Sequence, residues 1–208
     1  MKKKIISLVL IFAMLFAESV NLYAAEANEA EKVMATAYLI NKENGQIIEV
    51  PIVQTDRKVE QNGEQVKVSS MAELVFPISE ESGIQPNNVV TDGGVTTRIR
   101  FNMIYTQSGG MYRLDEVNGA YEQLDKAFTI SNRVVKFISQ QDYKGDVKTY
   151  NESSNNFSHP GHKTWIDTNN TIQYWIAGYA KCTISRGGSS WDLYCRETVI
   201  SQNIDSVL

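Results

Sequence analysis

Histidine is almost missing from this chain, positive charge is in deficit, and no apolar run is long enough to span a bilayer. Both histidines of the 208 residues fall in one turn-like stretch, Ser158-His159-Pro160-Gly161-His162. A catalytic zinc site takes three protein ligands, and neither a helical His-x-x-x-His nor a further histidine supplies the third. There is no Gly-x-Ser-x-Gly elbow to present a nucleophilic serine. Acidic residues outnumber basic ones, 24 to 20, so the electrostatic footprint of a nucleic-acid or anionic-lipid binder is missing. The apolar run from Ile5 to Ala17 is roughly 13 residues, against the ~20 that a spanning helix needs. No stable membrane anchor is therefore expected. An amphipathic helical period persists nowhere, which leaves strands as the building material.

What is present begins with Met1-Lys-Lys-Lys4, the apolar run, and small residues at Ala24, Ala25 and Ala27. That order describes a secretory signal peptide over residues 1–25, with cleavage expected after Ala25. No cysteine sits at the cut, so lipid anchoring is not expected either. Loss of Lys2, Lys3, Lys4 and Glu18 with that segment leaves 17 positive and 23 negative side chains, a net charge of −6. The remaining length fits one domain with a sizeable core. Residues 26–35, small and charged, read as a flexible lead-in to a single domain over residues 36–208. The expected location is extracellular.

From Thr36 onward the pattern is strands and turns. Asn44-Gly45 and Asn62-Gly63 are strong hairpin signals between short alternating segments; the second places Val59 opposite Val66. Pro51 cannot donate to a ladder, which predicts an edge or a bulge there. After Asp92-Gly93-Gly94, apolar Val95, Ile99, Phe101, Met103 and Tyr105 alternate with Arg98, Arg100 and Asn102, predicting a long half-buried strand. Ser108-Gly-Gly110, Asn118-Gly119 and Ser131-Asn-Arg133 read as further turns. Residues 139–170 carry few strand signals and read as a long irregular segment of the kind that is often functional. Short strands with turn signals near every tenth residue predict an all-β fold, a single-domain antiparallel β-sandwich.

The last hairpin can be read in register. A two-residue loop at Gly188-Ser189 sets Cys182 opposite Cys195 at a non-hydrogen-bonded position, where Cα atoms approach most closely. Two cysteines in an exported chain then predict a Cys182–Cys195 disulfide stapling this hairpin. One face carries Ile172, Tyr174, Ile176, Ala180, Cys182, Ile184, Trp191, Leu193 and Cys195, the core side. The other carries Trp175, Tyr179, Lys181, Thr183, Asp192, Tyr194 and Arg196.

This second face supplies the candidate binding residues: Trp175, Tyr179, Lys181, Tyr194 and Arg196. Flat rings with polar tips and nearby donors can stack on a sugar or dock a protein. The simpler account is that something covers them, since aromatic residues favour strands in any case. His159 and His162 are the candidate metal ligands, with Asp167 or Asp142 as possible oxygen donors; the simpler account is a polar surface turn. Paired carboxylates such as Glu80-Glu81 and Asp115-Glu116 are sequence neighbours, so in a strand they point to opposite faces and cannot converge on one bond. No catalytic residue is assigned, and no cofactor is expected.

The block from Val95 to Phe137, with Tyr112, Asn118-Gly119, Tyr121 and Ser131-Asn132-Arg133, together with the final Ser185-Arg-Gly-Gly-Ser-Ser-Trp191 hairpin, resembles small exported proteins of uncharacterised function from Gram-positive bacteria. A fainter likeness of layout links it to two-sheet bacteriocins, which are much shorter. The resemblance implies a β-sandwich and transfers no site. The expectation is a secreted, non-catalytic binding protein that engages a cell-envelope component, a glycan or a protein. An antagonistic, bacteriocin-like or toxin-like protein is the alternative. A metal-assisted hydrolase centred on His159 and His162 comes last.

Overall fold

Alternation with period two is what organises this chain: from Thr97 to Tyr105 every second side chain is buried, and those between them lie nearer the surface. Such a segment can satisfy its backbone only in a sheet and its apolar face only against a second layer. The computed structural model describes residues 34–50, 52–77, 95–142, 144–170 and 173–201. No helix occurs among them. The signal peptide expected over residues 1–25, Pro51, the Glu80-Glu81 pair, the Asp92-Gly93-Gly94 turn and Ile172 lie outside the described residues.

In chain order, β1 (Met34–Asn41) and β2 (Ile47–Glu49) belong to a first sheet. The chain then passes to a second sheet as β3 (Ile52–Asn62), β4 (Gln65–Pro77), β5 (Val95–Ser108) and β6 (Met111–Gln123), an antiparallel meander. It returns to the first sheet as β7 (Thr129–Gln141) and β8 (Lys144–Glu152). β9 (Asn156–Pro160) and β10 (Ile166–Asp167) both pair with β6 in the second sheet, and β11 (Tyr174–Arg186) and β12 (Ser189–Ser201) complete the first. The first sheet runs β2-β1-β12-β11-β7-β8, and the second β10-β6-β5-β4-β3 with β9 beside β6. Every pairing is antiparallel. The two sheets enclose one main apolar core, as expected for a sandwich.

The largest fully buried side chains are aromatic. The Phe157 ring lies 5.4 Å from Tyr121 and 6.5 Å from Phe101, centroid to centroid. Tyr121 is fully buried, and its hydroxyl donates to the Val134 carbonyl at 3.0 Å, a polar tie between the two sheets. The outer face of the second sheet is a ladder of mutually satisfied polar groups. Arg98 and Arg100 both bridge to Glu73 and Glu122. Ser69 donates to Asn102, Asn102 to Asn118, and Asn118 to Glu116.

Several sequence expectations need correction. Asn118-Gly119 is no turn, because β6 runs straight through it. Gly119 is there for close approach: a Cβ would drive into the Arg100 carbonyl and the Phe157 ring. Ser131-Asn-Arg133 also lies inside a strand, where Asn132 takes φ 47° beside a register shift, a bulge rather than a reversal. The second hairpin loops at Gly63-Glu64, so Val59 faces Val68, not Val66. Much of residues 139–170 is ordered as β8, β9 and β10. β1 begins at Met34, inside the stretch read as lead-in, with Met34 and Ala35 paired to Thr198 and Glu197.

The disulfide is not formed. The last hairpin loops at Gly187-Gly188, with Arg186 opposite Ser189, both glycines at positive φ (58° and 93°). A type I′ turn needs that geometry at both central residues, and two glycines supply it at less strain than Gly-Ser. Cys182 then pairs with Leu193, and Cys195 with Ala180. The cysteines are diagonal neighbours, for which Cα atoms stand roughly 7–8 Å apart, against about 4.4–6.8 Å for a disulfide. Both are buried free thiols, and the Cys195 thiol donates to the Ala72 carbonyl at 3.8 Å.

Candidate functional site

The outer face of the first sheet contrasts with the satisfied polar ladder on the second. β1, β12, β11 and β7 lie side by side there, and their registers place Tyr38 opposite Tyr194, Tyr194 opposite Lys181, and Tyr179 opposite Arg196 and Lys136. Outward-facing positions in adjacent strands are near neighbours, so rings distant in sequence are forced together. Tyr38 and Tyr194 stack with centroids 4.7 Å apart and planes 16° from parallel. Tyr179 meets Tyr194 edge-on at 5.4 Å. Lys181 lies 5.1 Å from the Tyr194 ring centroid and Lys136 lies 6.0 Å from that of Tyr179, both within cation–π range. All five side chains are half-buried, lodged in the sheet but open on one side.

The charges on this face fall into two kinds. Lys181 reaches Asp192 at 2.7 Å, and Asp192 also accepts from the Thr183 hydroxyl at 2.7 Å. Partial burial opposes the Lys181 ammonium, but Asp192 and Tyr194 outweigh it and hold its pKa above the ordinary lysine value. Burial likewise opposes the Asp192 carboxylate, and its bonds to Lys181 and Thr183 bring its pKa below the usual value. This pair stays charged and holds the register of the rings. Arg196 has no ion-pair partner among the described residues, and its charge acts on Tyr38. Burial, followed by the neighbouring Tyr194, raises the phenols of Tyr38 and Tyr179, so both remain neutral donors at any ordinary pH.

Of the five binding residues picked from sequence, Tyr179, Lys181, Tyr194 and Arg196 come together here. Trp175 does not join them. It is 7% exposed and packs with Ile138 and Ala177 in a separate small cluster on the same side of the sheet. Tyr38 and Lys136 escaped the sequence reading, since nothing near either position announces a partner in another strand.

The two histidines serve different neighbours. His159 stacks on Tyr150 at 3.7 Å, and its Nε2 lies 2.6 Å from the Glu152 carboxylate. His162 is buried edge-on against Phe137, 5.6 Å between centroids. Burial, aided by the Lys148 ammonium, lowers its pKa. No group of three or more His, Cys, Asp or Glu side chains among the described residues is placed to hold a metal ion. No family model, curated protein or solved structure matches the chain.

Proposed function

We propose that this is a secreted, non-catalytic binding protein that presents the tyrosine face of its first sheet to a cell-envelope component, a glycan or a protein surface. The observation behind this reading is the continuous row Tyr38–Tyr194–Tyr179, flanked by Lys136 and Arg196. No described strand packs across it, whereas the opposite outer face has its charged groups paired with one another. Tyrosines held by a sheet lose little conformational entropy on contact, and their hydroxyls remain available as donors. The face carries no activated nucleophile and no acid–base pair, which is why binding is preferred to catalysis.

Binding of the purified protein to intact bacterial cells and to a glycan array tests the reading, with Tyr194→Ala, Tyr179→Ala and Arg196→Ala in parallel. Loss of about tenfold or more in affinity with Tyr194→Ala is expected, since a central aromatic anchor carries a large share of such contacts. Undiminished binding by all three variants would move the site elsewhere. Retention on the array assigns a glycan, and retention on cells that is lost after protease treatment assigns a protein.

A further inference from the structure

The tyrosine face carries a line of cations as well as a line of rings. Strand registers set one row across five neighbouring strands: Thr36 of β1, Arg196 of β12, Tyr179 of β11, Lys136 of β7 and Thr149 of β8. At about 4.8 Å between strands the row is about 19 Å long, and Arg196 and Lys136 stand about 10 Å apart with Tyr179 between them. The row beside it holds Tyr38, Tyr194 and Lys181. Thr36 and Thr149 are exposed, whereas Arg196, Tyr179 and Lys136 are half-buried.

Charge along this row is not balanced by the protein itself. Lys181, in the neighbouring row, is matched by Asp192 at 2.7 Å. Arg196 and Lys136 have no ion-pair partner among the described residues. No carboxylate stands in their row, and Glu49, exposed opposite Tyr38 on β2, lies at the far edge of the sheet. On the second sheet, by contrast, Arg98, Arg100 and Arg113 each have a carboxylate within 3.4 Å. The chain as a whole is acidic, so the two cations do not belong to a generally basic surface.

The chemistry of the row is that of a donor platform. A guanidinium and an ammonium can only donate hydrogen bonds. The phenols of Tyr38 and Tyr179 stay protonated, because burial and the neighbouring Tyr194 hold their pKa values up. A neutral sugar could stack on the rings but would leave two partly desolvated cations uncompensated. A small free anion would match one cation and gain nothing from the rings. An anionic membrane gains only about 1 kcal/mol per cation, too little for two cations on an acidic chain. A chain of sugars bearing carboxylates at intervals uses every group: its rings lie on the tyrosines, and its carboxylates accept from Arg196 and Lys136.

We propose that the tyrosine face binds an acidic polysaccharide, with sugar rings stacked on Tyr179 and Tyr194 and two carboxylates held by Arg196 and Lys136. The proposal rests on the reading of this face as the binding surface. It narrows the ligand from any envelope component to a carboxylated glycan.

Calorimetric titration of the purified protein with three probes tests the proposal. Hyaluronan hexasaccharide alternates carboxylated and neutral sugars, chitohexaose has the same number of rings and no charge, and hexaglutamate has the charge and no rings. Saturable binding of the hyaluronan hexasaccharide is expected, about tenfold or more tighter than either control. Arg196→Gln and Lys136→Gln should each weaken it by about fivefold, and Tyr194→Ala by about tenfold, with amide spectra confirming the native fold of each variant. Equal affinity for chitohexaose or for hexaglutamate would overturn the proposal, as would full affinity in both Gln variants. If the hexasaccharide does not bind while Tyr194→Ala still loses retention on intact cells, this proposal falls and the tyrosine face stands. If the hexasaccharide binds all three variants at full affinity, both fall.

Discussion

Replacing Glu197 by glutamine should abolish most of a pH dependence of stability that few sandwich cores would show. Glu197 projects from β12 into the interior between Ala35 of β1 and Gly178 of β11, and it is 1% exposed. Among the described residues neither carboxyl oxygen makes a hydrogen bond, and Ser70 of β4, also fully buried, is the polar group beside it. Burial pushes the carboxyl up to about 8, and the Ser70 hydroxyl offsets this only partly. The buried Cys195 thiol, two residues earlier on the same strand, also senses this carboxyl.

In the unfolded chain Glu197 titrates near its ordinary value of 4.5. Between 4.5 and 8 the folded state therefore keeps a proton that the unfolded state has released. Stability is greatest below about pH 4.5 with respect to this group and falls as pH rises toward 8. At about 1.4 kcal/mol per pH unit, the loss across that window is on the order of 5 kcal/mol, a large fraction of the whole stability of a domain. Glutamine keeps the volume and removes the titration. His162 works in the opposite direction, since its lowered pKa removes stability as pH falls, but it is common to both proteins and cancels in their difference. Urea unfolding followed by tryptophan fluorescence at intervals from pH 5 to 9 measures that difference. The wild type should lose several kcal/mol relative to Glu197→Gln between pH 5 and 8. Parallel curves would refute the reasoning and mean that Glu197 is hydrated or paired in solution.

Three further outcomes follow from the packing. Thiol titration of the non-reduced, denatured protein should find two free thiols per chain, with reductant leaving the melting temperature unchanged; a Cys182–Cys195 disulfide would show that the hairpin adopts the other register. Tyr121→Phe removes the hydroxyl bond to Val134 between the two sheets, which should cost about 1 kcal/mol in chemical denaturation. Gly119→Ala forces β6 away from β5 and Phe157, and should destabilise by more than about 2 kcal/mol or prevent folding, whereas Gly45→Ala in an open turn should cost less.

Much of the candidate site was legible because strand faces depend on parity. The register expected for the last hairpin was wrong by two residues in the partner strand, yet two is the period of a strand. Tyr179, Lys181, Tyr194 and Arg196 therefore keep their common outward face, while the pairing of Cys182 with Cys195 is lost. A face survives such a slip and a particular contact does not. Asn118-Gly119 failed for a related reason: Asn-Gly permits a tight turn, but here β6 continues between β5 and β9, and the missing Cβ makes room for the Arg100 carbonyl and the Phe157 ring.

The material and its sidedness are written in local sequence: strands throughout, an apolar face in Thr97–Tyr105, and an aromatic, polar face on the last hairpin. Those properties live in neighbouring residues, and period-two sterics act locally. It took the packed fold to bring Tyr38, more than 150 positions before Tyr194, onto that ring, to seal Glu197 beside Ser70, and to give His162 and His159 different neighbours. The same packing sets Arg196 and Lys136 on either side of Tyr179. Each of these depends on which strands become neighbours and how two sheets meet. That outcome is set by the burial of the whole core, and no single stretch of sequence contains it.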